Sequence, residues 1–247
     1  PAQVNELLKP FQRDIVVWAV RKGRAAIFAD TGLGKTFISL EWARMIGRKT
    51  IIVAPLSVAR QTTRMAGALG LEVRYVRTPE QVTGDHLLWI TNYEMIEKFD
   101  ASQFDAVVLD ESSILKAIDG KTRRTLTEMF SRTPYRLCCT ATPAPNDLVE
   151  IGNHAEFLGI STASEMKAMF FINANIDHYV EFAGVRVRRK GSNAGGQEWR
   201  LRHHGEEPFY KWMASWAMSV RRPSDLGYSD DGYILPPLTI TPEWLEY

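Results

Sequence analysis

The sequence has little cysteine and no long apolar run. Its 247 residues include two cysteines, Cys138 and Cys139, and no hydrophobic stretch approaches the length that crosses a bilayer. Neighbouring residues on a strand point to opposite faces of a sheet, so we expect two core residues rather than a disulfide. The first residues lack a signal-peptide pattern. These absences favour a reducing compartment, either the cytoplasm of a bacterial or phage-infected cell or a eukaryotic nucleus, and no membrane partner.

The sequence also lacks an excess of charge of either sign. Its 30 lysines and arginines nearly balance 29 aspartates and glutamates, which leaves a net charge of +1. A net charge this small gives no indication of a nucleic-acid partner, so any such indication has to come from local clusters of basic residues. The content of 45% hydrophobic and 24% charged residues is typical of a globular protein.

A glycine-containing loop lies between an apolar run, Ala25 to Phe28, and an amphipathic run, residues 37–45. The loop reads Ala-Asp-Thr-Gly-Leu-Gly-Lys-Thr over residues 29–36, with alanine where the consensus has glycine. Strand, glycine loop and helix in this order are typical of a phosphate-binding loop, in which backbone N–H groups and the helix dipole face the phosphates. The alternative is an ordinary turn, but the flanking strand and helix favour a nucleotide site.

The residue types of this loop indicate how the nucleotide would be bound. Lys35 would provide the cation for the β- and γ-phosphates, and the Thr36 hydroxyl would bind Mg²⁺. The backbone around the phosphates would come from four further residues: Thr31, Gly32, Leu33 and Gly34.

Apolar runs that alternate with helical patterns follow the loop. Strands are predicted at residues 50–54, 72–76, 87–91, 106–109 and 135–140, and helices at residues 13–22, 57–69, 121–132, 147–158 and 164–171. Strands that are apolar throughout and separated by helices predict an α/β fold with a mostly parallel sheet covered by helices on both faces. Ligands of such sheets bind beyond the carboxyl ends of the strands, where the glycine loop, Asp110 and Thr140 are all expected.

Asp110 and Glu111 directly follow one of the predicted strands. Two acidic residues at a strand end could simply cap the turn or helix that follows. Beside a phosphate loop, the first carboxylate would instead hold Mg²⁺ and the second would polarise the attacking water. We therefore predict Lys35, Asp110 and Glu111 as the catalytic residues, with Thr36 and Asp110 at the metal.

These motifs together resemble those of the Swi/Snf-type ATPases, a group of superfamily-two helicases and translocases. The resemblance rests on Gly-Leu-Gly-Lys-Thr at 32–36, Asp-Glu-Ser-Ser at 110–113 and Thr-Ala-Thr-Pro at 140–143, with weaker matches at 8–12, 53–57 and 90–94. It implies a RecA-like P-loop NTPase lobe that binds ATP and Mg²⁺, with Gln12 at the adenine, although a lone glutamine is usually an ordinary surface residue. It also implies that Thr140 and Thr142 couple the nucleotide to duplex DNA. The DNA-facing positions it implies are Pro55, Leu56, Thr91, Asn92 and Asn146.

The sequence departs from that family in three respects. Ala-Asp-Thr at 29–31 stands where relatives more often have an acidic residue and methionine before the glycine loop. Asp-Glu-Ser-Ser stands where relatives usually have Asp-Glu-Ala-His. The Gln-x-x-Gly-Arg-x-x-Arg segment of a second lobe is missing, and the Gly-Arg pairs at 23–24 and 47–48 precede the acidic pair. We therefore expect a second RecA-like lobe of the same full-length protein as a partner, and weak hydrolysis by this lobe alone.

Basic residues alternate on both sides of a glycine-rich stretch in the second part of the sequence. Val-Arg-Val-Arg-Arg-Lys at 185–190 and Glu-Trp-Arg-Leu-Arg at 198–202 predict a two-stranded ribbon, about 183–205. It would carry Arg186 and Arg188 opposite Arg200 and Arg202, either as phosphate contacts or as a charged edge that prevents aggregation. We expect a RecA-like lobe at 1–160 and a C-terminal helical segment with this basic insertion at 161–247, including a helix at 209–219.

The motifs leave three functions open. An ATP-driven translocase on duplex DNA fits the resemblance best. A helicase that separates strands of DNA or RNA would share every motif. A nucleotide-binding adaptor without turnover is less favoured, because both Lys35 and Glu111 are present.

Overall fold

The computed structural model describes residues 3–116, 121–144, 146–173, 178–182, 185–189 and 199–233, with only the backbone of 116, 121, 178–182 and 185–189. Its strands are β1 (Arg24–Ala29), β2 (Thr50–Ala54), β3 (Arg74–Tyr75), β4 (Leu88–Asn92), β5 (Ala106–Asp110), β6 (Tyr135–Thr140), β7 (Phe171–Asn173), β8 (His178–Phe182), β9 (Val185–Arg189), β10 (Trp199–Leu201) and β11 (Ala217–Val220). Its α-helices are α1 (Pro10–Lys22), α2 (Lys35–Ile46), α3 (Leu56–Ala68), α4 (Lys121–Met129), α5 (Ile151–Leu158), α6 (Ala163–Phe170) and α7 (Glu206–Ala214).

Seven strands form one parallel sheet in the order β11-β1-β6-β5-β2-β4-β3. Side chains alternate along each strand, so β1 directs Ala25, Ile27 and Ala29 into one core and Ala26 and Phe28 into the other. The first core contains α1, α2 and α3, and the second contains α4, α5, α6 and α7. The predicted parallel sheet with helices on both faces is confirmed.

The last strand of the sheet corrects one prediction. We expected a helix through residues 209–219, but the helix ends at Ala214 and residues 217–220 form β11 beside β1. The helical spacing of Trp212, Met213 and Trp216 suggested the longer helix. Pairing with β1 is favoured instead because it satisfies the backbone of a buried strand that would otherwise be an edge. The sheet therefore crosses the boundary that we placed at residue 160.

The pairing predicted for the basic ribbon is also wrong. Residues 185–189 and 199–201 are strands, but β9 pairs with β8 and β10 pairs with β7, both antiparallel. The register places Arg186 opposite Glu181 and Arg200 opposite Ile172. β8 directly precedes β9 in the chain, which keeps the cost of loop closure between these two strands low. The expected tip of the ribbon, residues 190–198, lies outside the described residues.

Within the described ranges, no helix has both the length and the apolar character needed to cross a membrane.

Candidate nucleotide site at the carboxyl edge of the sheet

The glycine loop connects the end of β1 to the first turn of α2, as expected. Gly32 has φ 87° and Gly34 has φ 80°, in the left-handed region that glycine adopts without a steric penalty. Gly34 precedes the first residue of α2, and no side chain caps that helix. The first N–H groups of α2 thus lack a side-chain acceptor, which is the arrangement that binds a phosphate at a helix N-terminus.

Lys35 is folded back onto this loop. Its Nζ donates to the carbonyl oxygens of Ala29, at 2.9 Å, and Asp30, at 3.2 Å. Lys35 is half-buried, while Thr31 and Gly32 are exposed at the outer side of the loop. The ammonium group is therefore held at the loop by two neutral carbonyl oxygens. Phosphate oxygens of a bound nucleotide could replace these oxygens as its acceptors.

Gln12 contacts the loop through both ends of its amide. Its Oε1 accepts from the backbone N–H of Lys9 at 2.8 Å, and its Nε2 donates to the carbonyl of Leu33 at 3.0 Å. The side chain is 6% exposed and fits closely against Gly34, where an added Cβ would lie 2.4 Å from Nε2. Gln12 thus supports the loop in this structure, and its contact with adenine stays a prediction.

The acidic pair lies at the end of β5. Asp110 is buried, and burial together with the neighbouring charge of Glu111 raises the pKa of its carboxyl to about 6, which the Lys35 ammonium partly opposes. The Tyr93 hydroxyl donates to the Asp110 carbonyl at 2.8 Å. Tyr93 was not identified from the sequence, where an aromatic residue after a strand has no distinguishing pattern.

Glu111 has an unusual backbone conformation. Its φ of 54° is the one positive value at a non-glycine residue in the part of the chain that is described. Such a conformation costs on the order of 1–2 kcal/mol for an L-residue and persists only where the surroundings hold it. Glu111 therefore leaves the strand at a strained turn, as functional residues often do.

Two threonines lie at the end of β6, at the same edge: Thr140 is its last residue, and Thr142 follows two positions later. The backbone N–H of Thr142 donates to Thr140 Oγ1 at 3.1 Å. Thr140 is fully buried between β1 and β5, whereas Thr142 is exposed. The pair thus connects the centre of the sheet to its surface, and its coupling role stays a prediction.

A family model described as the SNF2-related domain matches residues 11–178. The chain belongs to the SNF2-related domain family. The match includes the glycine loop, the acidic pair and the two threonines, and it therefore agrees with the resemblance drawn from the motifs. A search of curated proteins gives no match.

Solved structures agree with the SNF2-related fold. The SWI2/SNF2 ATPase core of Sulfolobus solfataricus in complex with dsDNA matches with a TM-score of 0.66 at 17% identity, covering 90% of this chain and 46% of that one. The same core domain without DNA gives 0.66 at 17% identity, covering 92% and 46%. The Hef helicase domain of Pyrococcus furiosus gives 0.52 at 18% identity, covering 65% and 38%. These likenesses show the fold, and the chain spans about half the length of the Sulfolobus structures.

The remaining positions predicted for this SNF2-related chain lie around the same edge. Leu56 is 53% exposed and Pro55 is half-buried at the end of β2. Thr91 and Asn92 are buried at the end of β4, and Thr91 Oγ1 and Asn92 Oδ1 have no hydrogen-bond partner among the described residues. Asn146 is exposed and donates to Glu150 Oε1 at 3.0 Å. Their contact with nucleic acid stays a prediction.

The arginines of the expected ribbon are distributed over different elements. Arg186 and Arg188 lie on β9, and Arg200 lies on β10. The guanidinium of Arg202, just beyond β10, donates to the carbonyls of Ala168 at 2.7 Å and Phe171 at 3.2 Å. Arg202 is thus already bonded to the end of α6, while a role of all four in DNA binding stays untested.

Proposed function

We propose that this chain is the ATP-binding lobe of an ATP-driven motor that moves on duplex DNA. The observation that carries the proposal is the turn after β5, with its buried Asp110 and strained Glu111, close to Lys35 at an uncapped helix N-terminus. Membership of the SNF2-related family supports it, because the matched region contains each of these parts.

The donor set at this edge fits Mg²⁺. Asp110 and Thr36 offer a carboxylate and a hydroxyl, and Mg²⁺ is usually held by one or two carboxylates together with substrate phosphates. Among the described residues no group of three or more His, Cys, Asp or Glu side chains could hold a metal ion. When bound, Mg²⁺ would neutralise charge on the phosphate oxygens.

The residues of the chain would then divide the chemistry of hydrolysis. Lys35 would move from the loop carbonyls to the β- and γ-phosphates. Glu111 would orient the attacking water and accept its proton, while the new bond between the water oxygen and the γ-phosphorus forms. The bond between that phosphorus and the bridging oxygen breaks, and its electron pair leaves with ADP.

Duplex DNA and a second lobe complete the proposal. The similar Sulfolobus core was solved in complex with dsDNA, and this chain covers 46% of it. We infer that a second RecA-like lobe of the same protein closes over the carboxyl edge of this one. Turnover would then require closure, since a cation brought by another lobe accelerates phosphoryl transfer by about 10³–10⁵.

Two substitutions in the full-length protein test the proposal. Glu111→Gln should keep ATP binding but lower the rate of hydrolysis by about 10²–10⁴, because an amide cannot accept the proton. Lys35→Ala should abolish most of the binding. Isothermal titration with ATP and a steady-state ATPase assay measure the two effects, and the exposed Glu207 gives a matched control in Glu207→Gln. Normal hydrolysis by Glu111→Gln would contradict the assignment.

Displacement of a third strand from duplex DNA tests movement. We expect ATP-dependent displacement without unwinding of a tailed duplex. Unwinding of the tailed duplex would instead favour a helicase that separates strands.

A further inference from the structure

At Ser112, the residue after Glu111, a buried polar contact joins two distant parts of the chain. Ser112 Oγ lies 3.1 Å from Nε2 of His154, which is 42 residues further along the chain, on α5. Both side chains are buried, with exposures of 0% and 1%. Ser112 also lies close to the thiol of Cys138 on β6, where it partly offsets the rise that burial causes in the pKa of that thiol. The residue after Glu111 is thus bonded to a helix and lies against a strand.

The imidazole of His154 is fixed on its other side by β1. It packs edge-to-face against Phe28, with ring centroids 5.2 Å apart and an interplanar angle of 78°. Phe28 is the next-to-last residue of the strand that leads into the glycine loop. His154 therefore lies between the strand that carries the phosphate loop and the turn that carries Glu111.

Glu111 needs such support because its backbone is strained. Its own backbone contacts are long: its N–H donates to Asp110 Oδ1 at 3.2 Å, and its carbonyl accepts from Ile114 N–H at 3.3 Å. Both contacts are local, so neither ties the turn to another element. The Ser112 side chain provides such a connection after Glu111, as the Tyr93 hydroxyl bonded to the Asp110 carbonyl does before it.

We propose that His154 is a positioning residue for Glu111, acting through Ser112. The hydrogen bond holds the left-handed turn, and the turn directs the Glu111 carboxylate toward the attacking water. Ser112 directly follows Glu111, and the imidazole that contacts it comes from α5. This inference rests on the proposed function, because it assumes that Glu111 is the base.

The test is a cycle of variants in the full-length protein: Ser112→Ala, His154→Leu and the double variant. Each single change leaves a buried polar group without its partner and loosens the turn. We expect kcat to fall by between about tenfold and a hundredfold, the scale of a small misplacement of a catalytic group. KM and ATP affinity should stay unchanged, since the glycine loop is not altered. The double variant should be no slower than the slower single one, because both partners are then apolar.

Rescue separates positioning from mere packing. His154→Gln keeps a side-chain N–H that can reach Ser112, so it should retain more activity than His154→Leu. Thr62→Val is the control: it removes a buried hydroxyl that bonds Val58 within α3, and it should lower the melting temperature without changing kcat. If His154→Leu does not fold, Ser112→Ala and His154→Gln decide the question.

Two results would overturn the inference, and only the second would also contradict the assignment of Glu111 as the base. In the first, Ser112→Ala and His154→Leu have lower melting temperatures but unchanged kcat, while Glu111→Gln is inactive. The contact would then contribute only to packing, and the proposed function would stand. Full activity of Glu111→Gln would remove both the inference and the assignment of the base.

Discussion

Two turns at the carboxyl edge of the sheet contain left-handed backbone, and they achieve it by different means. In the turn after β1, the residues with positive φ are Gly32 and Gly34. In the turn after β5, the residue with positive φ is Glu111, whose carboxylate is the proposed base for the attacking water. Glycine adopts this conformation at no steric cost, whereas glutamate has to be held there by its surroundings.

The difference shows where each turn takes its stability. The glycine turn takes its conformation from its own glycines, has one support from outside in Gln12 on α1, and leaves its outer side exposed. The turn at Glu111 depends on contacts from three other elements: Tyr93 after β4, Cys138 on β6 and His154 on α5. A functional side chain at a strained position therefore requires a scaffold that reaches far beyond the motif itself.

The largest expected effect comes from adding a methyl group to the glycine turn at Gly34. Gly34→Ala would strain the backbone by about 1–2 kcal/mol and would displace the Gln12 amide from Leu33, for a further 1–3 kcal/mol. Gly32→Ala has nothing within 4 Å of the new methyl and should show the strain alone. Urea denaturation of both variants measures the difference. Equal losses would mean that Gln12 does not support the turn.

The second effect concerns the carboxyl group of Asp110, which is buried at the turn after β5. Burial, with the charge of Glu111, raises the pKa of Asp110 from 3.8 to about 6 in the folded state. The folded carboxyl thus binds its proton more tightly than the unfolded one, so the free energy of unfolding should fall as pH rises from about 4 to about 6. Two pKa units correspond to about 3 kcal/mol. Asp110→Asn should remove this dependence and stabilise the nucleotide-free protein at pH 7.

Denaturation at several pH values checks this prediction. Asp100 is a control, because its contribution to the free energy of unfolding changes with pH in the opposite direction. Hydrogen bonds from Ser102 lower the pKa of the Asp100 carboxyl, so its contribution to stability is lost as pH falls. Parallel pH profiles for wild type and Asp110→Asn would show that Asp110 is not desolvated.

The smallest effect comes from placing glycine in the strained position. Glu111→Gly should be more stable than Glu111→Gln by about 1 kcal/mol, because relief of the left-handed strain is partly offset by the greater chain entropy of glycine. Neither variant should hydrolyse ATP. Thermal denaturation of the two variants side by side decides it, and a less stable glycine variant would mean that Glu111 is not strained.

Much of the fold could be predicted because it depends on local patterns. Residues 50–54 and 135–140 were predicted as strands and form β2 and β6 with the same bounds. The glycine loop and the acidic pair were found because phosphate and metal chemistry requires those residue types at the ends of strands. In each case the decisive information lies within a few neighbouring residues.

The parts that could not be predicted depend on distant partners. The alternation at 185–189 and 199–201 indicated strands but did not indicate which strand each one pairs with. Helical spacing at Trp212 and Trp216 concealed the short strand that follows. No pattern in the sequence connects Ser112 to a histidine 42 residues away, because contact between the two is produced by the packing of α5 on the sheet.

The position of β11 has a consequence for the synthesis of the protein. It pairs with β1, yet it begins at Ala217, 188 residues after β1 ends at Ala29. At about 5–20 residues per second, a ribosome needs roughly 10–40 s to add that stretch. Throughout that interval the nascent chain would carry β1, an apolar strand, with at least one edge unpaired, and with both unpaired until β6 is made, which is a template for aggregation and for chaperone binding. Translation speed between these two strands should therefore influence the yield of folded protein.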